Sequence, residues 1–306
     1  MVKLSLIDSI YNHLLSEKFK ARSETAILML AIVSFVVHLG LISLVDIGWI
    51  KLESPSKLLI NPISAIYTPF SFILVYEVYL LIYHLPKSTS TYIGKQYEIV
   101  TLILIRKVFK DLSELVFTQD WFKVRSDVQF TYDLLAALVL FLFIYLYYRL
   151  NQRRIVTDQK KDQQEKILTR EMKRFIRQKK VIAACLMPVF FGLAVFSLIN
   201  WTHETFFALK PLTGPLTDIN KIFFDEFFTI LILVDVLLLL FSFLHTSEFS
   251  KIMRNSGFVI STILIKLSFG VHGVVSTLVL VTAVAFGIAI LAIHNQFEKL
   301  NTPVEI

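Results

Sequence analysis

Residues 98–109, EIVTLILIRKVF, are nearly restated 160 positions later by residues 258–269, FVISTILIKLSF. Both stretches carry the apolar run Ile-Leu-Ile, and both follow it directly with a cation, Arg106 in the first and Lys266 in the second. A run this apolar forms a helix wherever it lies in lipid, because no water is present there to satisfy an open backbone. The repetition indicates a chain assembled from two similar helical membrane units.

The composition assigns the broad class. Of 306 residues, 55% are hydrophobic, and the mean hydropathy is +0.66, whereas soluble domains are usually about 45–50% apolar. Segments of roughly 17–25 apolar residues suffice to cross a hydrocarbon core. Clear apolar segments cover residues 25–49, 66–85, 131–149, 181–201, 222–244 and 274–295, with shorter ones at 97–109 and 257–270. The sequence therefore predicts an all-α integral membrane protein with about eight transmembrane helices.

Other weak matches between the two halves occur in the same order. Trp49 corresponds to Trp201, and Glu77 in LVYEVYLL corresponds to Asp235 in LILVDVLLLL. The separation of matched residues ranges only from 144 to 160. Four spans per half is an even number, so both repeats would have the same membrane orientation. The predicted organisation is an N-terminal amphipathic helix at 1–24, a first four-helix repeat at 25–150, a basic linker helix at 151–180, a second four-helix repeat at 181–297 and a tail at 298–306.

The linker holds the excess positive charge of the chain. Residues 151–180 contain eleven Lys or Arg and four Asp or Glu, a net charge of +7 that equals the net charge of the whole chain. Such a segment beside a span is typical of a cytosolic helix against anionic lipid, and docking of a soluble partner stays open as an alternative. Because the membrane already accounts for the charge, no nucleic-acid partner is predicted.

Basic residues near the ends of the spans also predict the orientation. With eight spans and an inside N-terminus, one side of the membrane receives 20 Lys or Arg and the other side receives 8. Cytoplasmic loops carry this excess, so we expect both termini in the cytoplasm. The setting we expect is the inner membrane of a bacterial cell.

Signs of catalysis are missing from the sequence. It has no glycine-rich phosphate loop, no nucleophile elbow and no HExxH metal motif. Cys185 is the only cysteine, so a disulfide framework or a cysteine-based metal site cannot form within one chain. We therefore predict a protein without enzymatic activity and without a cofactor.

Ionisable residues inside the spans are the candidate functional residues. Each costs about 2.5–3.5 kcal/mol on insertion scales and is expected to face the protein interior. The repeat puts an acid on the second helix and a base on the third helix of each half. This arrangement predicts ion pairs between Glu77 and Arg106 and between Asp235 and Lys266. The full set of candidates is Glu77, Glu98, Arg106, Asp133, Asp235 and Lys266.

Two interpretations of these residues stay open. They either form buried salt bridges that fix helix register, or form a coupling site whose carboxylates bind a cation or a proton. Short apolar segments at matched positions, such as 97–109 and 257–270, are typical of transporter sites near the bilayer midplane. We therefore expect a channel or secondary transporter for a proton or other small ion. The alternative is a non-catalytic membrane subunit or scaffold whose linker docks a cytosolic partner. In either case we expect lipid around the chain, and assembly into a homo-oligomer or a hetero-complex stays open.

Overall fold

The computed structural model describes residues 13–49, 59, 62–114, 125–162, 170–206, 219–245 and 248–300. Within these ranges the chain is all-helical and contains no strand, which confirms the predicted helical class. The long helices are α1 (Glu17–Asp46), α2 (Tyr67–His84), α3 (Thr89–Glu114), α4 (Arg125–Asp162), α5 (Arg170–Phe206), α6 (Ile219–His245), α7 (Phe249–Gly270) and α8 (Val274–Leu300). A short 3-10 helix, Pro62–Ile66, leads into α2.

Five of the described helical segments are long and apolar enough to cross a membrane. They are Glu17–Asp46, Asp127–Gln152, Glu226–Leu244, Phe249–Gly270 and Val274–Leu300. Residues Thr68–His84 of α2 form a shorter apolar segment. By length and composition this chain is an α-helical membrane protein, and the count of eight crossings stays a prediction.

The ends of α1 show how local sequence sets the helix boundaries. Ser16 precedes the helix in an extended conformation, and its hydroxyl accepts a hydrogen bond from the Phe19 N–H at 3.2 Å, which satisfies a free donor of the first turn. At the other end Gly48 adopts a φ of 81°, and the Trp49 N–H donates to the Leu44 carbonyl at 3.0 Å. Many helices end with a glycine in this conformation, because it lets the following N–H groups satisfy the last carbonyls.

Consecutive helices pack against each other within each half of the chain. In the first half α1 contacts α2, α2 contacts α3 and α3 contacts α4; in the second half α5, α6, α7 and α8 contact one another in the same order. The halves meet through α4 with α8, through α2 with α5 and through α3 with α7. The candidate site lies where α3, α5, α6 and α7 come together.

Helices α4 and α8 run parallel and in register. The Thr277 hydroxyl of α8 donates to the Asp133 carboxylate of α4, and the Asn295 amide of α8 donates to the Leu150 carbonyl of α4 at 3.1 Å. These pairs are separated by 144 and 145 positions in the chain, so the separation is nearly constant along roughly five turns. A constant separation means that both helices point the same way.

The described parts of the linker are helical and continuous with the neighbouring helices. Residues 151–162 form the last part of α4, and residues 170–180 form the first part of α5. The described parts of the predicted linker helix therefore belong to the end of α4 and to the beginning of α5. Residues 163–169, like the predicted N-terminal segment up to residue 12 and the tail from residue 301, lie outside the described ranges.

Candidate functional site

The predicted ion pair between Asp235 and Lys266 is wrong. Lys266 donates from Nζ to Thr229 Oγ1 at 2.6 Å. Thr229 precedes Asp235 by six residues, which is roughly 9 Å along a helix. Helices α6 and α7 are antiparallel and joined by a short connection, so residues equally distant from that connection face each other. Lys266 lies too far from the connection to meet Asp235.

The predicted ion pair between Glu77 and Arg106 is wrong for the same reason. Glu77 of α2 lies near Lys95 and Glu98 of α3, and these residues lie at a similar distance from the α2–α3 connection. Arg106 lies eight residues beyond Glu98, or roughly 12 Å further along α3. Arg106 is buried, but away from the carboxylate with which the sequence pattern pairs it.

The carboxylate of Glu98 has partners on two sides. Its Oε2 lies 2.5 Å from Lys95 Nζ, and its Oε1 accepts a hydrogen bond from the Tyr148 hydroxyl of α4. Glu77 is half-buried, and its Oε2 has no hydrogen-bond partner among the described residues. Lys95 is the cation that lies close to both acids. Glu77 is therefore less well neutralised than Glu98.

Asp133 lies in a polar cluster between α3, α4 and α8. Its carboxylate is 2.7 Å from Lys107 Nζ, and it accepts hydrogen bonds from the Gln129 amide at 2.9 Å and from the Thr277 hydroxyl. The Asp133 side chain is fully buried, so these partners offset the cost of burying its charge. The sequence pattern does not indicate this pair, because Lys107 follows the apolar run of residues 102–105 with nothing to mark Asp133 as its partner.

Asp235 differs from Asp133 and Glu98 in its partners. It lies near the middle of α6, is 5% exposed, and accepts a hydrogen bond from Gln96 Nε2 of α3 at 3.0 Å. Gln96 Oε1 in turn accepts from the Thr262 hydroxyl of α7 at 2.8 Å. Among the described residues, no cation lies within 4.0 Å of the Asp235 carboxylate. Its direct hydrogen-bond donor is therefore the neutral Gln96 amide, and the Lys179 ammonium acts on its charge from a greater distance.

A small cavity lies beside Asp235. Its volume of about 20 Å³ is enough for one water molecule, and its polar lining comes from Thr89, Tyr92, Lys179, Asp235 and Asn255. Tyr92 is 1% exposed, and its hydroxyl lies close to the Asp235 and Gln96 side chains without a well-aligned hydrogen bond to any described residue. Buried hydroxyls normally have a partner, so a water molecule here would complete the hydrogen bonding of Tyr92. We call Tyr92, Gln96, Lys179, Asp235 and Thr262 the Asp235 cluster.

Lys179 is the basic residue that lines this cavity. Its Nζ donates to the Lys87 carbonyl at 3.2 Å and to Thr89 Oγ1 at 3.3 Å, and it lies 4.8 Å from the centre of the Phe175 ring. Lys179 precedes the apolar segment that begins at residue 181. Burial, together with the nearby Arg254 guanidinium, lowers the pKa of Lys179 to about 8. The net charge of the linker does not distinguish Lys179 from its other basic residues. Its place directly before an apolar segment is the one sequence signal that distinguishes it.

A pair of hydroxyl groups lies next to the Asp235 cluster. Tyr97 Oη and Ser261 Oγ are 2.9 Å apart, and Ser261 donates to the Ala283 carbonyl of α8 at 2.7 Å. The Tyr97 ring lies against Gly287, where an added Cβ would be 1.6 Å from Tyr97 Oη. Glycine at this position therefore lets α8 approach the Tyr97 side chain.

Comparison with models of known protein families, with curated proteins and with solved structures finds no match for this chain. The part of the chain that the structure describes contains no group of three or more His, Cys, Asp or Glu that could hold a metal ion. The case for a function therefore depends on the geometry of the Asp235 cluster within an all-helical membrane protein.

Proposed function

We propose that this protein transports a proton or another small ion across a membrane, with Asp235 as the residue that binds it. The observation that carries this proposal is a carboxylate buried in the apolar helix α6, hydrogen-bonded by the neutral Gln96 amide and placed beside a cavity that fits one water molecule. Ionisable groups within membrane segments are rare and mark ion pathways or proton relays. Among the described residues no cation is in direct contact with this carboxylate, and the Lys179 ammonium only lines the same cavity, so Asp235 is able to take up a positive charge.

The acids Asp133 and Glu98 support the choice of Asp235 by contrast. Asp133 is paired with Lys107, and Glu98 is paired with Lys95. Each of these acids already has a neutralising cation, so we assign them to helix packing. Glu77 shares Lys95 with Glu98 and is the second candidate for ion binding.

The proposal includes eight crossings arranged as two repeats of the same orientation. Its support is the parallel packing of α4 and α8, the last helices of the two halves, at separations of 144 and 145 positions. Asn151 and Asn295, which follow the last predicted span of each half, have the same separation of 144. An even number of crossings puts both termini on one side, which we assign to the cytoplasm of a bacterial cell, with residues 151–180 against anionic lipid.

A scaffold or non-catalytic subunit is the alternative, and one feature favours it. Helix α1 packs mainly on α2, and it exposes the apolar side chains of Leu28, Met29, Ile32, Val33 and Val36. Lipid acyl chains cover such a face in a transporter, whereas a partner helix covers it in a subunit. The two functions differ in whether ions cross the membrane.

Ion flux through purified protein in liposomes distinguishes these functions. We expect wild-type protein to carry protons or a small cation faster than empty liposomes under an applied gradient or voltage. Asp235→Asn should abolish the flux, because a side-chain amide does not take up a proton or neutralise a cation. The matched control is Glu248→Gln, the same change at an exposed acid paired with Lys251, which should retain the flux. Folded wild-type protein without flux under any gradient would favour the scaffold.

A further inference from the structure

We propose that the ion taken up by Asp235 is the proton, and that the hydrogen bonds of Gln96 and Thr262 reverse direction when it binds. This inference rests on the proposed function and narrows its substrate to one ion. Its basis is the chemistry of the groups around the carboxylate, which suits proton exchange and disfavours a bound metal ion.

The described residues around Asp235 do not supply a coordination shell for a metal ion. Cations such as calcium and magnesium take about six or more oxygen ligands in proteins. Here Gln96 presents its amide donor to the carboxylate, and the adjacent cavity has room for one water molecule. Lys179 lines the same cavity, and its positive charge repels a second cation.

The other titratable and charged groups near Asp235 are neutral phenols and cations, so none of them adds an anionic ligand for a metal ion. The Tyr92 phenol of α3 and the Lys179 ammonium of α5 share its cavity. The Arg254 guanidinium of α7 donates to the side-chain oxygen of Asn255 at 3.0 Å, and Asn255 lines the cavity. Helix α6 contributes no other charged residue within two turns of Asp235. A proton suits these surroundings because it binds as part of the carboxyl group and needs no further ligands.

In the ionised state the hydrogen bonds point towards the carboxylate. Gln96 Nε2 donates to Asp235 at 3.0 Å, and the Thr262 hydroxyl donates to Gln96 Oε1 at 2.8 Å. Thr262 Oγ1 also lies 3.1 Å from the Phe258 carbonyl. The Thr262 hydroxyl also lies close to Asp235 itself. Its single proton thus has the Gln96 oxygen and the Phe258 carbonyl among its acceptors and serves one acceptor at a time. The second acceptor makes the reversal possible.

Proton binding reverses this chain of donors without leaving a group unpaired. Asp235 gains an O–H bond, with a proton delivered through water in the cavity, and donates it to the Gln96 oxygen once the amide has turned over. The amide nitrogen then donates to the Thr262 oxygen, and the Thr262 proton turns to the Phe258 carbonyl. Unpaired buried polar groups are costly. A network that is complete in both states lets the site gain and lose a proton without that cost.

Infrared spectroscopy of the purified protein in lipid tests proton binding directly. The carboxylic-acid carbonyl band that disappears in Asp235→Asn identifies the Asp235 signal. We expect this signal to titrate with pH in the wild type. The proton concentration at the midpoint of the titration should be the same in choline, sodium or potassium chloride. A competing cation at about ten times its Kd would shift that concentration about tenfold. Such a shift, or an Asp235 signal that never titrates, overturns the proposal.

The reversal of the hydrogen bonds has its own test. Thr262→Val keeps the shape of the side chain and removes the hydroxyl, so it should shift the frequency of the Asp235 signal. The matched control is Thr282→Val, at an exposed hydroxyl that bonds within its own helix, and it should leave the frequency unchanged. An unchanged frequency in Thr262→Val overturns the reversal. The comparison of salts in the wild type needs no variant of Gln96 or Thr262 and decides the identity of the ion by itself.

These measurements also separate the inference from the proposed function. A titrating, salt-insensitive Asp235 signal without flux in liposomes would refute transport and leave proton binding intact. Flux together with a sodium- or potassium-sensitive signal would leave transport intact and refute the proton as its ion.

Discussion

Gly287→Ala should strongly destabilise the protein. The added Cβ would lie 1.6 Å from Tyr97 Oη and 2.8 Å from Tyr97 Cζ, closer than real side-chain contacts allow. Tyr97 has little room to move away, because it is fully buried and packs edge-on against Tyr147 with ring centres 5.2 Å apart. Overpacking a core usually costs about 1–3 kcal/mol. We expect this loss to exceed that range, because helix α8 itself has to shift.

Gly192→Ala is the matched control for this prediction. Gly192 also lies inside a long helix, but an added Cβ there has no other atom within 4 Å. Alanine is about 1 kcal/mol more favourable than glycine in a helix interior, so this variant should be at least as stable as the wild type. Thermal unfolding in detergent gives the comparison. Equal stability of the two variants would contradict the close approach of α8 to Tyr97.

Lys107→Met should cause the second large loss of stability. It removes the cation that lies 2.7 Å from the fully buried Asp133 carboxylate. Removing one partner of a buried ion pair costs about 3–5 kcal/mol, because the other charge stays buried without compensation. We expect the lower end of that range, since the Lys107 side chain is 37% exposed and Gln129 and Thr277 still donate to Asp133.

Adding Asp133→Asn to Lys107→Met should recover most of this stability. The amide is neutral, and its oxygen still accepts the hydrogen bonds that Asp133 now receives. Lys251→Met is the control, because Lys251 and Glu248 form an exposed pair with side chains 40% and 60% exposed, and such pairs contribute about 1 kcal/mol or less. The free energy of unfolding of all three variants tests the prediction. A double variant no more stable than Lys107→Met would mean that the buried charge is not the cause.

The apolar segments of the sequence predict the class of the protein well, because hydrophobic length decides which segments can cross lipid. The predicted spans 131–149 and 274–295 lie inside α4 and α8. The boundary at residue 151 was not predictable from polarity, since α4 continues to Asp162. No glycine or proline occurs between residues 149 and 162 to end the helix, so the charged sequence simply extends it.

The sequence identifies Asp133 and Asp235 as acids inside predicted spans, and the structure shows both of them buried. It does not identify their partners, because these depend on the register between antiparallel helices and on the rotation of each helix about its axis. Apolar sequence leaves both quantities open. Lys107 carries no signal as a partner, since it follows an apolar run. Lys179 belongs to a long run of basic residues and is marked only by its place directly before an apolar segment.

A cryo-electron microscopy structure in lipid, at a resolution that shows ordered water, is the most direct test of the central claim that Asp235 is a buried carboxylate hydrated rather than ion-paired. We predict one water molecule in contact with Asp235, Tyr92 and Lys179, with Gln96 within hydrogen-bond distance of the carboxylate. An Asp235 carboxylate in direct contact with Lys266 or another cation, or a cavity without water, would contradict the claim.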